Sequence, residues 1–315
     1  LACRERRRHG HRGDCDGHLL SHGPHRRRPR SAPTNNDPRC SGGAFMKRAG
    51  LVIGCVLVGI VVIAGATSAV WTPHDPNLVV PAERLMGPNG QYWLGTDGFG
   101  SDIASRMFVG ARTCLLVGVV SVLIAAGIGV PWGVTSAMLP RPWSTVVGRA
   151  ADLLYAFPAL LLAIILAAAV GGSTLTGMIA IGVSTVPVFA RITRTASRQI
   201  LAQDYVVAAR SSGMAWRSVA FNHVLPNIAP LIGVQASVSY GTAILAEAAL
   251  SYLGLATPAT VPTWGRMLRD SQVYLFDSPW LTVAPAVAIA GAVMGFTLLG
   301  DGLRDFLDPR LREVR

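Results

Sequence analysis

The chain predicts an all-α integral membrane protein with six transmembrane helices. Three observations carry this expectation. Of its 315 residues, 51% are hydrophobic and 14% charged, where a soluble domain has ~25% charged. Uncharged runs recur at the ~20-residue length that a helix rising 1.5 Å per residue needs to cross ~30 Å of hydrocarbon. Arginines gather in alternate loops between those runs, as chains that thread a membrane require.

Residues 1–45 stand apart as a basic leader, with 10 Arg against 4 acidic residues, five of the seven His and three of the five Cys. They contain no apolar run, and Met46-Lys47-Arg48 opens directly onto one. The leader is expected to be an unstructured tail or untranslated upstream sequence. Cys3, His9, His11, Cys15 and His18 lack the spacings of a tetrahedral metal site, so no metal is expected. The Arg runs 6–8 and 26–28 read as membrane-adjacent basic residues rather than a nucleic-acid patch.

Span one is 49–70, within a first transmembrane segment over 46–71. Residues 72–112 form the outer segment, its stretch to about residue 92 carrying Pro73, Pro76, Pro81 and Pro88 and expected to lack regular structure. Span two is 113–139. Between Asp152 and Arg191 lie 38 uncharged residues, roughly 57 Å as one helix and too long for one crossing; Gly171-Gly172-Ser173 divides them into spans three and four. Span five is 224–250, broken by Glu247, and span six is 278–300, followed by a tail over 301–315. Arg141 and Arg149, then Arg191, Arg194, Arg198, Arg210 and Arg217, and finally Arg304, Arg310, Arg312 and Arg315 mark one side, while the other loops balance their arginines with acids. Both termini and the loop 191–227 are therefore expected in the cytoplasm.

Catalysis by the chain alone is not expected. Lys47 is the only lysine, and no G-x-x-x-x-G-K-[ST] surrounds it, so nothing here cradles a nucleotide's phosphates by that mechanism. His74 and His223 fall on opposite expected faces and cannot share a site. No catalytic, cofactor-binding or metal-binding residue is assigned.

Three motifs carry function. In the loop 191–227, Asp204 through Arg210 reads as a short helix with Ala208 and Ala209 on one side, stopped near Gly213. A second helix follows from about Ala215 to His223, and Leu225-Pro226-Asn227 is expected to turn the chain back into the membrane. Small alanines let a helix enter a groove closely, and Arg210 and Arg217 offer contacts to acidic groups. Taken as residues alone, this reads first as an ordinary positive loop with no partner. In the second motif, Leu94 through Arg112, Gly98 and Gly100 make a turn. Ser101 caps a helix, and Asp102 sits in its first turn. Ile103, Met107 and Phe108 line one face of a helix lying at the outer interface. In the third, Glu247-Ala248-Ala249-Leu250-Ser251-Tyr252-Leu253-Gly254-Leu255 precedes Pro262-Thr263-Trp264-Gly265-Arg266-Met267-Leu268. A charge inside a span costs ~2.5–3.5 kcal/mol. Glu247 therefore faces the interior, either as a translocation-path residue or as a carboxylate satisfied by neighbouring structure.

All three motifs resemble the dipeptide and oligopeptide permeases of the DppC/OppC type, and the resemblance spans about residues 47–312. Ala208-Ala209-Arg210, Gly213 and Leu225-Pro226-Asn227 are similar to the "EAA" loop of ABC importer permeases, which docks onto an ATPase. Residues 94–112 match L-G-T-D-x-x-G-R-D-x-x-S-R-x-x-x-G-A-R, with Ser101 in place of the first Arg. Residues 247–268 match E-x-x-L-S-F-L-G-L and P-x-W-G-x-M-L. One departure bears on coupling: Val207 stands where the loop pattern has Glu.

The resemblance implies the ABC importer permease fold, the inner-membrane component of binding-protein-dependent transport. It implies alternating access with a homologous second permease subunit, one or two ABC ATPases that bind ATP and Mg, an extracytoplasmic substrate-binding protein and membrane lipid. It implies Asp204, Ala208, Ala209, Arg210, Gly213 and Arg217 as the ATPase-coupling set and Glu247 as the path residue. Short peptides are the implied cargo; nickel, heme or another delivered solute is the alternative within the family. An ion-gradient-driven transporter is the alternative outside it, and that would need more intramembrane ionisable groups than Glu247.

Overall fold

In the computed structural model, residues 38–307 are described apart from 172 and 259, with backbone alone for 38–48, 306 and 307. The leader 1–37 and Arg310, Arg312 and Arg315 lie outside the described residues. Among the described residues there are ten α-helices: α1 (Pro38–Thr67), α2 (Ile103–Met138), α3 (Trp143–Ala156), α4 (Ala159–Val170), α5 (Thr174–Leu201), α6 (Asp204–Ser211), α7 (Trp216–Val219), α8 (Leu225–Tyr252), α9 (Trp264–Ser271) and α10 (Trp280–Leu307). By length and composition five of these helical runs can cross a membrane, and six if the bent pair α3–α4 makes one span. The six expected spans therefore correspond to six helical units.

α2 and α5 form the centre of the bundle and run parallel. Ser121 Oγ donates to the Met178 carbonyl at 3.0 Å, Gly129 lies on Val186 and Phe189, and Gly133 lies on Ala190 and Thr193. Residue numbers on the two helices advance together through these contacts. Glycines at 129, 133 and 182 remove the Cβ atoms that would hold the backbones apart, and small residues let packing replace the missing hydrophobic drive between helices in lipid. α8 runs the other way: Ile228 packs with Val134 at one end, while Tyr240 donates to the Leu115 carbonyl at 2.7 Å further along. Tyr240 also stacks on Phe296 of α10 at 3.9 Å.

The return from α2 to α5 is the α3–α4 pair, bent by 85°. Phe157 is extended and Pro158 follows it, because a residue before proline is pushed out of the helical region and proline has no N–H to give. α4 ends at Gly171 and α5 is capped by Ser173 Oγ on Thr176 N, so the expected division at 171–173 stands. Three arginines of α5 at helical spacing strap α3 down. Arg191 lies 4.8 Å over the Tyr155 ring, Arg194 donates to the Ser144 carbonyl at 2.8 Å, and Arg198 donates to Ser144 Oγ at 2.9 Å.

Several local expectations differ. α1 begins at Pro38, inside the stretch expected to lack structure, and ends at Thr67. Residues 103–112 are not a separate interfacial helix but the first turns of the 36-residue α2; nothing in their sequence interrupts it, and Ile103, Ala104 and Gly110 are buried. Leu225-Pro226-Asn227 makes no turn. The widened π turn Ala220–Val224 joins α7 to α8 without a break, and Pro226, which has no N–H to give, follows directly on that turn. The outer stretch 71–92 contains a short 3-10 turn at Pro81–Glu83 and is tied down at many points.

Candidate functional site

The two ends of the bundle carry different chemistry. At one end, Val134 of α2, Ala196 of α5, Val206 of α6, Val219 of α7, Val224 and Ile228 form a single apolar cluster. Val206 is 1% exposed, and burying a valine stabilises by ~1.5–3 kcal/mol, so α6 is mounted on the spanning helices by its inner face. Asp204, Val207, Ala208 and Ser211, spaced i, i+3, i+4 and i+7, are all exposed and form its outer stripe.

Termination of α6 is built in backbone. Gly213 adopts φ +88°, Gly213 N donates to the Arg210 carbonyl at 3.0 Å, and Met214 N donates to the Ala209 carbonyl at 3.2 Å. These bonds make a Schellman end, which needs a left-handed residue after the cap. Gly213 thus shapes the loop rather than offering a contact. Ala209 is half-buried. Arg210 is exposed, with its guanidinium 3.2 Å over the ring of Trp216, which is itself exposed. Arg217 lines an apolar groove between α2 and α7 with Val134, Met138, Trp216, Phe221 and Leu225.

A brace that the sequence reading missed fixes α6 to α8. Tyr205 packs edge-on against His223 at 5.9 Å, and Asn227 donates to the His223 carbonyl at 2.6 Å and to Tyr205 Oη at 3.4 Å. The residues His223 and Asn227 of the L-P-N region were visible; their partner Tyr205, 22 positions earlier, was not marked by any pattern.

At the other end, the motif 94–112 is a lock. Asp97 accepts from Phe99 N at 2.8 Å and Ser101 N at 2.9 Å and pairs with Arg106. Gly100 N donates to the Asp97 carbonyl at 3.0 Å, so the expected turn is present, and φ +82° at Gly100 requires glycine. The cap of α2 is Asp102, not Ser101. Its carboxylate accepts from Ala104 N at 3.2 Å, Ser105 N at 3.1 Å and Ser105 Oγ at 2.6 Å, because an Asp at the N-cap reaches the free N–H groups of the first turn. His74 Nδ1 lies 3.2 Å from the same carboxylate, and His74 N donates to Ser105 Oγ at 2.8 Å, clamping the outer stretch onto α2. Tyr92 donates to Glu83, and that hydrogen bond, with the carboxylate's charge, raises the Tyr92 pKa above its ordinary 10.0.

The third motif is packing joined to one buried charge. Trp264 lies over Gly110 and donates to the Met107 carbonyl at 3.0 Å, Thr263 Oγ1 caps α9, and Gly265 sits on Ala248. Glu247, 3% exposed, accepts from Ser251 Oγ at 2.6 Å, and Ser251 contacts Thr257 Oγ1 at 2.9 Å. Among the described residues no cationic side chain lies within ion-pair distance of it. The six coupling candidates thus come together at one end, and Glu247 is held separately inside the bundle.

Comparison with known proteins agrees with this architecture. Residues 129–313 match the family described as binding-protein-dependent transport system inner membrane component. The chain is 37% identical over 262 residues to the dipeptide transport system permease protein DppC of Alkalihalophilus pseudofirmus, covering 83% of this chain and 86% of that protein. It is 37% identical over 270 residues to the di/tripeptide permease DppC of Pseudomonas aeruginosa, covering 83% and 89%. It is 36% identical over 268 residues to the glutathione permease GsiD of Escherichia coli, covering 84% and 88%. With most of both chains aligned and a helical bundle of the expected span count, this chain belongs to the family of binding-protein-dependent transport system inner membrane components.

Proposed function

We propose that the chain is the permease subunit of an ATP-driven importer of short peptides, working by alternating access with a homologous second permease, one or two cytoplasmic ABC ATPases that bind ATP and Mg, and an extracytoplasmic substrate-binding protein. The observation that carries this reading is α6. It is a short helix braced on the inner ends of α2, α5 and α8, with a bare outer stripe. Motion delivered to such a rigidly mounted element passes to the spanning helices rather than dissipating in a loop. The peptide cargo rests on the relatives, whose names specify dipeptides, di- and tripeptides and glutathione.

In this reading the α6–α7 end is cytoplasmic, because Arg191, Arg194, Arg198, Arg210 and Arg217 collect there. Asp204 and Ala208 face the ATPase directly, Ala209 allows close approach, and Gly213 ends the helix. Arg210 and Arg217 shape the contact from its edge. Glu247 serves the translocation path. The test is uptake of a labelled dipeptide into vesicles holding the complete complex and its binding protein. ATP-dependent uptake that Arg210→Glu abolishes, with membrane insertion intact, is expected. Uptake that persists without ATP and follows an ion gradient overturns the reading.

A further inference from the structure

The outer stripe of α6 has a chemistry of its own. Where the resembled loop carries a glutamate, this chain places Val207, with 53% of its surface exposed and flanked on the stripe by Asp204, Ala208 and Ser211. In the same loop Tyr205, Trp216 and Phe221 are also exposed, Phe221 by 68%. Arg210 is exposed beside the stripe and is held over Trp216 by stacking at 3.2 Å. Asp204 remains the one acid on the stripe, and it sits in the first turn of α6, where the helix dipole already favours a carboxylate. The centre of the stripe, Val207 and Ala208, is uncharged. Aromatic groups are enriched and charges depleted in the buried cores of protein interfaces.

We propose that this chain docks on its ATPase through an apolar contact centred on Val207, and that the ATPase presents there an uncharged apolar pocket rather than a basic one. This rests on the reading of α6 as the docking element, and it states what that reading alone leaves open: the chemistry by which the partner recognises this subunit. A basic pocket facing Val207 would bury an unpaired cation, which is costly without a counter-charge. An apolar pocket accepts the isopropyl group and excludes water. The match also discriminates, since an ATPase built for a glutamate would be disfavoured by the charge it leaves unpaired.

The experiment uses the full complex purified in detergent through a tag on this chain, with ATPase recovery and peptide-stimulated ATP hydrolysis as readouts. Recovery of the companion permease reports folding. Val207→Glu, which restores the usual residue, is expected to lower ATPase recovery and stimulated hydrolysis at least tenfold while the companion permease is retained. Ala208→Trp, which blocks close approach of α6, is expected to abolish both. If Val207→Glu matches or exceeds the parent while Ala208→Trp is inactive, the apolar pocket is overturned and α6 keeps its docking role. If both variants match the parent, α6 is not the docking element and the reading beneath the proposal fails with it.

Discussion

Glu247 and Gly213 show how differently single residues act in this fold. The Glu247 carboxylate is buried in a spanning helix and its visible partner is the Ser251 hydroxyl one turn on. Glu247→Gln keeps an acceptor for that hydroxyl, so assembly of the complex is expected to match the parent. Peptide uptake is expected to fall about tenfold, as loss of one charge-assisted contact of ~1.4 kcal/mol would give; uptake and assembly that are both normal would remove Glu247 from the path. Gly213 contacts nothing with the Cβ it lacks, so its role is conformational. Gly213→Ala is expected to cost about 1 kcal/mol because φ is positive there. The readout is faster proteolysis of the α6–α7 loop with the spanning helices intact.

At the scale of elements, the decisive contacts join helices distant in sequence. Trp264 of α9 fills the space left by Gly110 of α2 and bonds its backbone. Trp264→Ala removes that packing and is expected to destabilise by ~3–5 kcal/mol, read as a lower thermal midpoint of the detergent-solubilised complex. The strap of α5 on α3 is polar instead. Arg194→Met keeps the aliphatic stem but removes the charged donor that α5 gives to the Ser144 carbonyl, and about 1.5–3 kcal/mol is expected for a hydrogen bond to a charged group. Proteolysis or cysteine labelling between Arg141 and Ala156 would detect the loosened α3; unchanged protection there would show that Tyr155 and Arg198 hold it unaided. How much of these elements the sequence revealed follows from the range of the cause. The break at Gly171-Gly172-Ser173 and the end of α6 at Gly213 depend on nearby residues and were legible. The 85° bend at Phe157-Pro158 was not expected, because the apolar run up to residue 170 reads as one span. Arg191, Arg194 and Arg198 appeared only as loop charge, because Ser144 and Tyr155 lie on another helix.

For the whole molecule, the bundle has two unlike ends, and the direction in which it sits in the membrane is open to direct measurement. In a background without other cysteines, Asn89→Cys is expected to react with a membrane-impermeant thiol reagent in intact cells. Ser212→Cys is expected to react only after the membrane is opened. The reverse pattern would invert the proposed orientation. The sequence by itself determined the fold class, the number of helical units and the family motifs, because hydrocarbon thickness sets span length and the cost of charge in lipid sets where loops fall. It also marked the proposed coupling residues as neighbours, since they lie within one short loop. Tertiary structure alone decided that residues 103–112 continue into α2, that Asp102 rather than Ser101 caps it, that Arg210 is stacked on Trp216, and that Val207 faces outward. Each of these depends on which backbone groups and side chains meet after packing, and periodicity along the chain carries no record of that.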